Sequence, residues 1–240
     1  MRNLLPYSRG LLFVALFFLT ACTAQQVSKT IDALTDVPLT KEEAGKALKQ
    51  ALIQGITKGT QNASQQGGFL NNPLLKIPFP PEAQKVANTL RDIGLGKEVD
   101  KFVVSLNRGA EEAAGEALPI FKQAILQMSF QDAFAILKND NKTAATEYLR
   151  RTTTEQLMQA FQPVVKRNLD KVNATKYYDE LVTRYNRVPL VKKVNPDLDD
   201  YATQEAIEGL FKLVEREEAN IRENVSARTT ELMKKAFAQQ

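Results

Sequence analysis

KEVDKFVVSLNRGAEEAAGEALPIF, residues 97–121, establishes the class of the chain. Val99, Phe102, Val103, Leu106, Ala110, Ala113, Ala114, Ala117 and Phe121 fall at helical intervals and make one apolar stripe. The alternation of period two that a half-buried strand needs is missing. The spacing predicts a long helix from Lys97, kinked at Pro119.

The same pattern recurs on the N-terminal side. Pro80 and Pro81 open a short helix that Gly94 and Gly96 end. Before it, Gly67 to Pro81 holds four prolines and two glycines and reads as a loop. Phe69, Leu75, Ile77 and Phe79 make that loop apolar, so it either packs beneath the domain or lines a groove. Thr40-Lys41-Glu42-Glu43 is a capping box that starts a helix running to about Ser64. Its inner stripe is Ala44, Ala47, Leu48, Ala51, Leu52, Gly55 and Gly59. Lysines interrupt it, so Gly55 and Gly59 predict close packing on another helix rather than a membrane dimer.

On the C-terminal side, Ser129 and Asp132 start a short helix, and Asn139-Asp140-Asn141 make a turn. Helices are expected near 142–151 and 154–171, the second carrying Pro163. Tyr177, Leu181 and Tyr185 mark another. Arg187 to Asp197 is a linker with Pro189 and Pro196. Ile207, Leu210, Phe211, Val214 and Ile221 share one face of a long helix, and Ser226 is expected to cap a last one ending near Phe237. The reading is all-α: one multi-helix, bundle-like domain over residues 40–240.

Composition narrows the chemistry. Apolar residues make up 43% and charged residues 25%, which suffices for a sizeable core. There is no His, no Trp, and a single Cys. An internal disulfide, a Cys/His zinc site and imidazole-based nucleophilic catalysis are thereby excluded. A metal site of carboxylates alone needs a denser Asp/Glu cluster than any found, and no cofactor is implied. The formal charge of +4 includes Arg2 and Arg9 near the start, and no nucleic-acid partner is called for.

Those two arginines precede an apolar run, Leu11 to Leu19, too short for the roughly 20 residues of a membrane span. Leu19-Thr20-Ala21-Cys22 then resembles the lipobox of bacterial lipoproteins. The resemblance implies that residues 1–21 are a signal peptide and that Cys22 is acylated, with residues 22–39 serving as a polar tether. Several acyl chains anchor stably where one does not. Thr23, rather than an acidic residue, follows Cys22, which by the same resemblance implies the outer membrane and a periplasmic face. The bilayer is then a partner through Cys22.

Blocks along the domain carry a second resemblance. Gly67-Gly68-Phe69-Leu70-Asn71-Asn72 and Lys76-Ile77-Pro78-Phe79-Pro80 come first. Leu106-Asn107-Arg108-Gly109-Ala110-Glu111, Asp132-Ala133 with Ile136-Leu137, and Ala144 to Arg150 follow. Gly209-Leu210-Phe211, Glu217-Glu218 with Ile221-Arg222, and Ala227-Arg228 complete the series. From about Gly45 to Phe237 the chain resembles domain-of-unknown-function family 4197, an exported helical bacterial group. Lys138-Asn139, Gly109 and Val225 depart from its usual Gly turn, Ala and Pro. The family brings no accepted activity.

Three polar groupings are candidate sites. Asn107, Arg108 and Glu111 fall within one turn, and Arg108 and Glu111 can pair. Tyr148, Arg150 and Arg151, followed by Thr152 to Thr154, read as a helix end meeting a helix start, where arginines and free amides could take an anion. Glu218 lies on an apolar stripe beside Glu217 and Arg222, and is expected to meet an arginine of another helix, Arg108 or Arg150. For each grouping the structural pair or cap is the favoured reading over a site. The preferred function is a membrane-anchored envelope lipoprotein with a non-enzymatic binding domain for a lipid, another amphiphile or a partner protein. The alternatives are a hydrolase or lyase acting on cell-wall sugars or phosphoesters through Arg and carboxylates, and a purely structural protein.

Overall fold

Thr40 starts the first helix as expected. Its hydroxyl accepts the Glu43 amide at 3.1 Å, and the Glu43 carboxylate accepts the Thr40 amide at 2.9 Å. The computed structural model describes residues 39–238 except 93, 95, 172, 174, 176, 177, 180, 181, 184, 185, 188, 191, 192 and 196. The signal peptide, Cys22 and the tether up to residue 38 lie outside the described residues, as do Tyr177, Leu181 and Tyr185.

The helices whose bounds lie among the described residues are α1 (Lys41–Ala63), α2 (Gln84–Asp92), α3 (Gly96–Ala114), α4 (Ala117–Gln127), α5 (Phe130–Leu137), α6 (Ala144–Asp170), α7 (Leu198–Glu223) and α8 (Glu231–Ala238). Short 3-10 turns, Pro81–Ala83 and Val225–Ala227, precede α2 and follow α7. No strand occurs among the described residues, and the domain is all-α. None of these helices is long and apolar enough to cross a membrane.

α1 packs against α4, α5, α7 and α8, while α6 packs against α3, α4 and α7. α7 therefore touches both central helices. Leu48, Ile56, Leu106, Phe121, Leu149, Phe161 and Phe211 are buried in the core. Phe121 meets Phe211 edge-on with ring centroids 5.8 Å apart. The small-residue face of α1 lies on α7. A Cβ on Gly55 would stand 3.1 Å from the Glu217 Cβ, and one on Gly59 would stand 3.6 Å from the Leu213 Cβ. The expected close helix contact is present, and it is tight at Gly55 only.

Four boundaries differ from the expectation. The helix that begins at Gly96 stops at Ala114 instead of kinking at Pro119. Pro119 cannot donate to Gly115 and its ring crowds that carbonyl, so the chain breaks at Gly115-Glu116 and restarts with Pro119 in the first turn of α4. The two helices expected on either side of Thr152 are one, α6. The hydroxyls of Thr152, Thr153 and Thr154 donate to the carbonyls of Tyr148, Leu149 and Arg150 at 2.6–2.9 Å, so their polar groups are satisfied within the helix. Pro163 lies within α6 on its exposed side. Thr230, not Ser226, caps the last helix, accepting the Met233 amide at 3.1 Å. Gly94 follows α2, but Gly96 opens α3 rather than ending α2.

Candidate functional site

Asn107 and Glu111 lie one turn apart on α3, both buried. Their side chains hold the proline-rich loop in place. The Asn107 amide donates to the Ile77 carbonyl at 2.8 Å, and its oxygen accepts the Ile77 N–H at 2.9 Å. One Glu111 oxygen accepts the N–H groups of Gly67, Phe69 and Leu70 at 3.0, 3.2 and 3.1 Å. The other oxygen pairs with Arg108, as the spacing predicts. A carboxylate surrounded by three main-chain donors is a strong local acceptor.

The loop can take that path because of its glycines. Gly67 has a φ of +88°, in the region that favours glycine. A Cβ on Gly68 would stand 2.3 Å from the Ala63 carbonyl oxygen. With the backbone so held, Phe69, Leu75, Ile77 and Phe79 are buried at 0, 3, 1 and 9% exposure. Of the two expectations for this loop, packing beneath the domain describes these four side chains; they are core. Phe69 presses on α7, where a Cβ on Gly209 would come within 3.0 Å of its ring.

Glu218 forms the second assembly. It is buried, as its place on the apolar stripe demands, but its arginine is Arg222 of the same helix and not Arg108 or Arg150. Arg108 is held by Glu111, and Arg150 by Glu208 across to α7. One Glu218 oxygen accepts the Ala145 N–H at 3.0 Å, and the other accepts the Thr146 N–H at 2.9 Å and its hydroxyl at 2.8 Å. These amides belong to the first turn of α6, whose N-cap Thr143 makes no side-chain cap bond of its own. Glu218 thus caps α6 from α7, where the positive helix end also favours a carboxylate. The Arg222 guanidinium continues to the Ile136 carbonyl at the end of α5, at 3.0 Å.

Arg228 extends this assembly and was not singled out as a site residue. Its guanidinium donates to the carbonyls of Ile221 and Arg222 at 3.0 and 2.8 Å, closing the C-terminal end of α7. The only signal in the sequence was its place in the last block of the family resemblance. Thr146 was part of such a block too.

Tyr148 and Arg150 sit within α6, so the expected helix junction with free amides does not exist. Arg150 forks onto Glu208 at 2.5 and 3.1 Å and lies 4.4 Å over the Phe211 ring. The hydrogen bond from Arg150 holds the Glu208 carboxyl below its ordinary range. Tyr148 is half-buried under the Arg151 guanidinium, and burial, then the Asp132 charge, pushes its phenol up.

The seven polar candidates therefore fall into three sets, each with its own partners: Asn107, Arg108 and Glu111; Glu218 and Arg222; Arg150 with Tyr148 nearby on its helix. No group of three or more Asp, Glu, His or Cys among the described residues could hold a metal ion. Among the described residues, two surface grooves stand out by size. One, about 500 Å³, runs between α1 and α8 and is lined by Gln50, Gln54, Thr57, Gln61, Thr230 and Met233. The other, about 560 Å³, runs along α3 to the end of α6.

No curated protein and no solved structure matches the chain. A family model does match, over residues 38–238, and it takes in the loop clamp, the α6 cap and every helix named above. The chain belongs to that family, described as protein of unknown function (DUF4197).

Proposed function

We propose that the protein is a lipid-anchored envelope protein of the outer membrane, facing the periplasm, whose helical domain is a non-enzymatic binding module. One observation carries the domain half of this reading. Asn107, Glu111, Glu218 and Arg222 direct their polar atoms at main-chain groups of other segments. Groups so engaged hold elements together, and none is left poised over a cleft to act as acid, base or nucleophile. Phe69, Leu75, Ile77 and Phe79 are core, so the ligand of this module is a partner protein or an occupant of the surface grooves.

The anchor half rests on the lipobox-like Leu19 to Cys22. Residues 23–39 would span up to about 60 Å when extended, enough to let the domain stand clear of the bilayer. Membrane fractionation of the Cys22→Ser full-length chain tests the anchor. The variant is expected in the soluble fraction while the parent stays with membranes; equal retention of both would overturn the anchor. Native mass spectrometry of the parent, extracted from the envelope, tests the binding module. A bound lipid or protein is the expected result, and a bare chain the contrary one.

A further inference from the structure

We propose that the groove between the first half of α3 and the C-terminal end of α6 binds a phosphate group, carried by a lipid headgroup or by a small soluble phosphate. This rests on the binding-module reading and names the ligand chemistry of that module. It does not depend on acylation of Cys22.

The groove measures about 560 Å³ and is open to solvent. Lys97, Lys101, Arg108 and Lys171 line it, against Asp100 as its lone carboxylate. Asp100 is already held by Arg91 at 2.7 Å. Lys101 is paired with Glu98 at 3.0 Å. Lys97 has no carboxylate partner among the described residues, and Lys171 reaches only the Asn168 side-chain oxygen, at 3.4 Å. Two exposed ammonium groups at one groove thus make no ion pair with a described carboxylate.

Arg108 adds a fork. Glu111 takes one Nη1 donor, and the Nη2 and Nε donors have no acceptor among the described residues. Its side chain is 34% exposed, so those donors are open to a ligand in the groove. Lys97 and Arg108 are eleven residues apart on α3, about 16 Å of helix, so the phosphate oxygens meet the lysines and the Arg108 donors face the group attached to the phosphate. The position of Lys97 argues in the same direction. It is the second residue of α3, at the positive end of the helix, where a cation is disfavoured and an anion is welcome. A bound phosphate would relieve that conflict.

The walls are fixed. Ser105 donates to the Asn168 carbonyl at 2.8 Å, joining α3 to α6 within the groove. One turn further on, a Cβ on Gly109 would stand 3.3 Å from the Val165 Cα, so the two backbones approach with nothing between them. The size exceeds a bare phosphate ion and suits a phosphoester with its attached polyol.

The test is calorimetric titration of the full-length chain, purified in a neutral maltoside detergent, with inorganic phosphate and with glycerophosphoglycerol, the deacylated headgroup of phosphatidylglycerol. Saturable binding of either is expected. A preference for glycerophosphoglycerol would assign the headgroup source, and equal or tighter binding of phosphate the soluble one. The Lys97→Glu/Lys171→Glu variant should bind at least about tenfold more weakly, with its thermal unfolding unchanged or slightly raised. Lys97→Gln/Lys171→Gln should lose a smaller part and guards against misfolding of the first variant. No binding by the parent, or parent-like binding by both variants, would overturn the proposal. Because the probes are soluble, that outcome would leave the anchor reading untouched, and a failed anchor would leave this one untouched.

Discussion

The 67–77 loop and the first turn of α6 are both held by a buried glutamate on a distant helix, but the two glutamates are compensated differently. Glu111 takes three loop amides and balances its charge with Arg108, whose side chain is 34% exposed. Glu218 takes two helix amides and a hydroxyl and balances its charge with Arg222, whose side chain is 7% exposed. Arg222 in turn closes the end of α5, and Arg228 closes the end of α7. The loop clamp is a local staple with one face to water. The Glu218 assembly ties three helix ends together out of water. What the contrast teaches is that the same residue type, at the same level of burial, carries different weight according to where its counter-charge sits.

That difference sets the order of expected effects. Glu218→Ala strands the Arg222 guanidinium and two first-turn amides, and should lower the unfolding free energy by about 3–5 kcal/mol in urea denaturation of the full chain. Glu218→Met/Arg222→Met, which removes both charges, should recover part of that loss. Glu111→Gln keeps a carbonyl oxygen for the loop amides and leaves Arg108 free to rehydrate, so about 1–3 kcal/mol is expected. A larger loss for Glu111→Gln than for Glu218→Ala would break the comparison. Smallest, and opposite in sign, is Gly59→Ala on α1. Its Cβ meets Leu213 at an ordinary 3.6 Å, and the helix should gain about 0.5–1 kcal/mol. A loss there would mean that α1 and α7 pack more tightly at Gly59 than that spacing states.

Legibility followed distance along the chain. The capping box at Thr40, the Arg108–Glu111 pair and the apolar stripe of α3 were readable because every partner lies within four residues. The burial of Glu218 was readable from its stripe. Its partners were not, because the amides it accepts lie 72 and 73 residues away. Asn107 and Ile77 are 30 apart, and no spacing rule joins a helix side chain to a loop carbonyl at that range. The family blocks had placed both in view as separate motifs; only the fold shows that they are one contact. Thr152 to Thr154 misled for a local reason. Three consecutive threonines disfavour a helix by propensity, but their hydroxyls bond back to the preceding turn and α6 runs through. Ser226 and Thr230 are equally plausible caps by composition, and the 3-10 turn at Val225–Ala227 occupies the first.

The buried carboxylates of Glu111 and Glu218 serve the main chain. Amide hydrogen exchange at Ala145 and Thr146, read residue by residue in the full-length chain, tests it most directly. First-turn amides of a helix ordinarily lack an intrahelical acceptor and exchange fast. Capped by Glu218, these two should exchange as slowly as the middle of α6, and lose that protection in Glu218→Ala. Exchange at the rate of an open helix end in the parent protein would contradict the account.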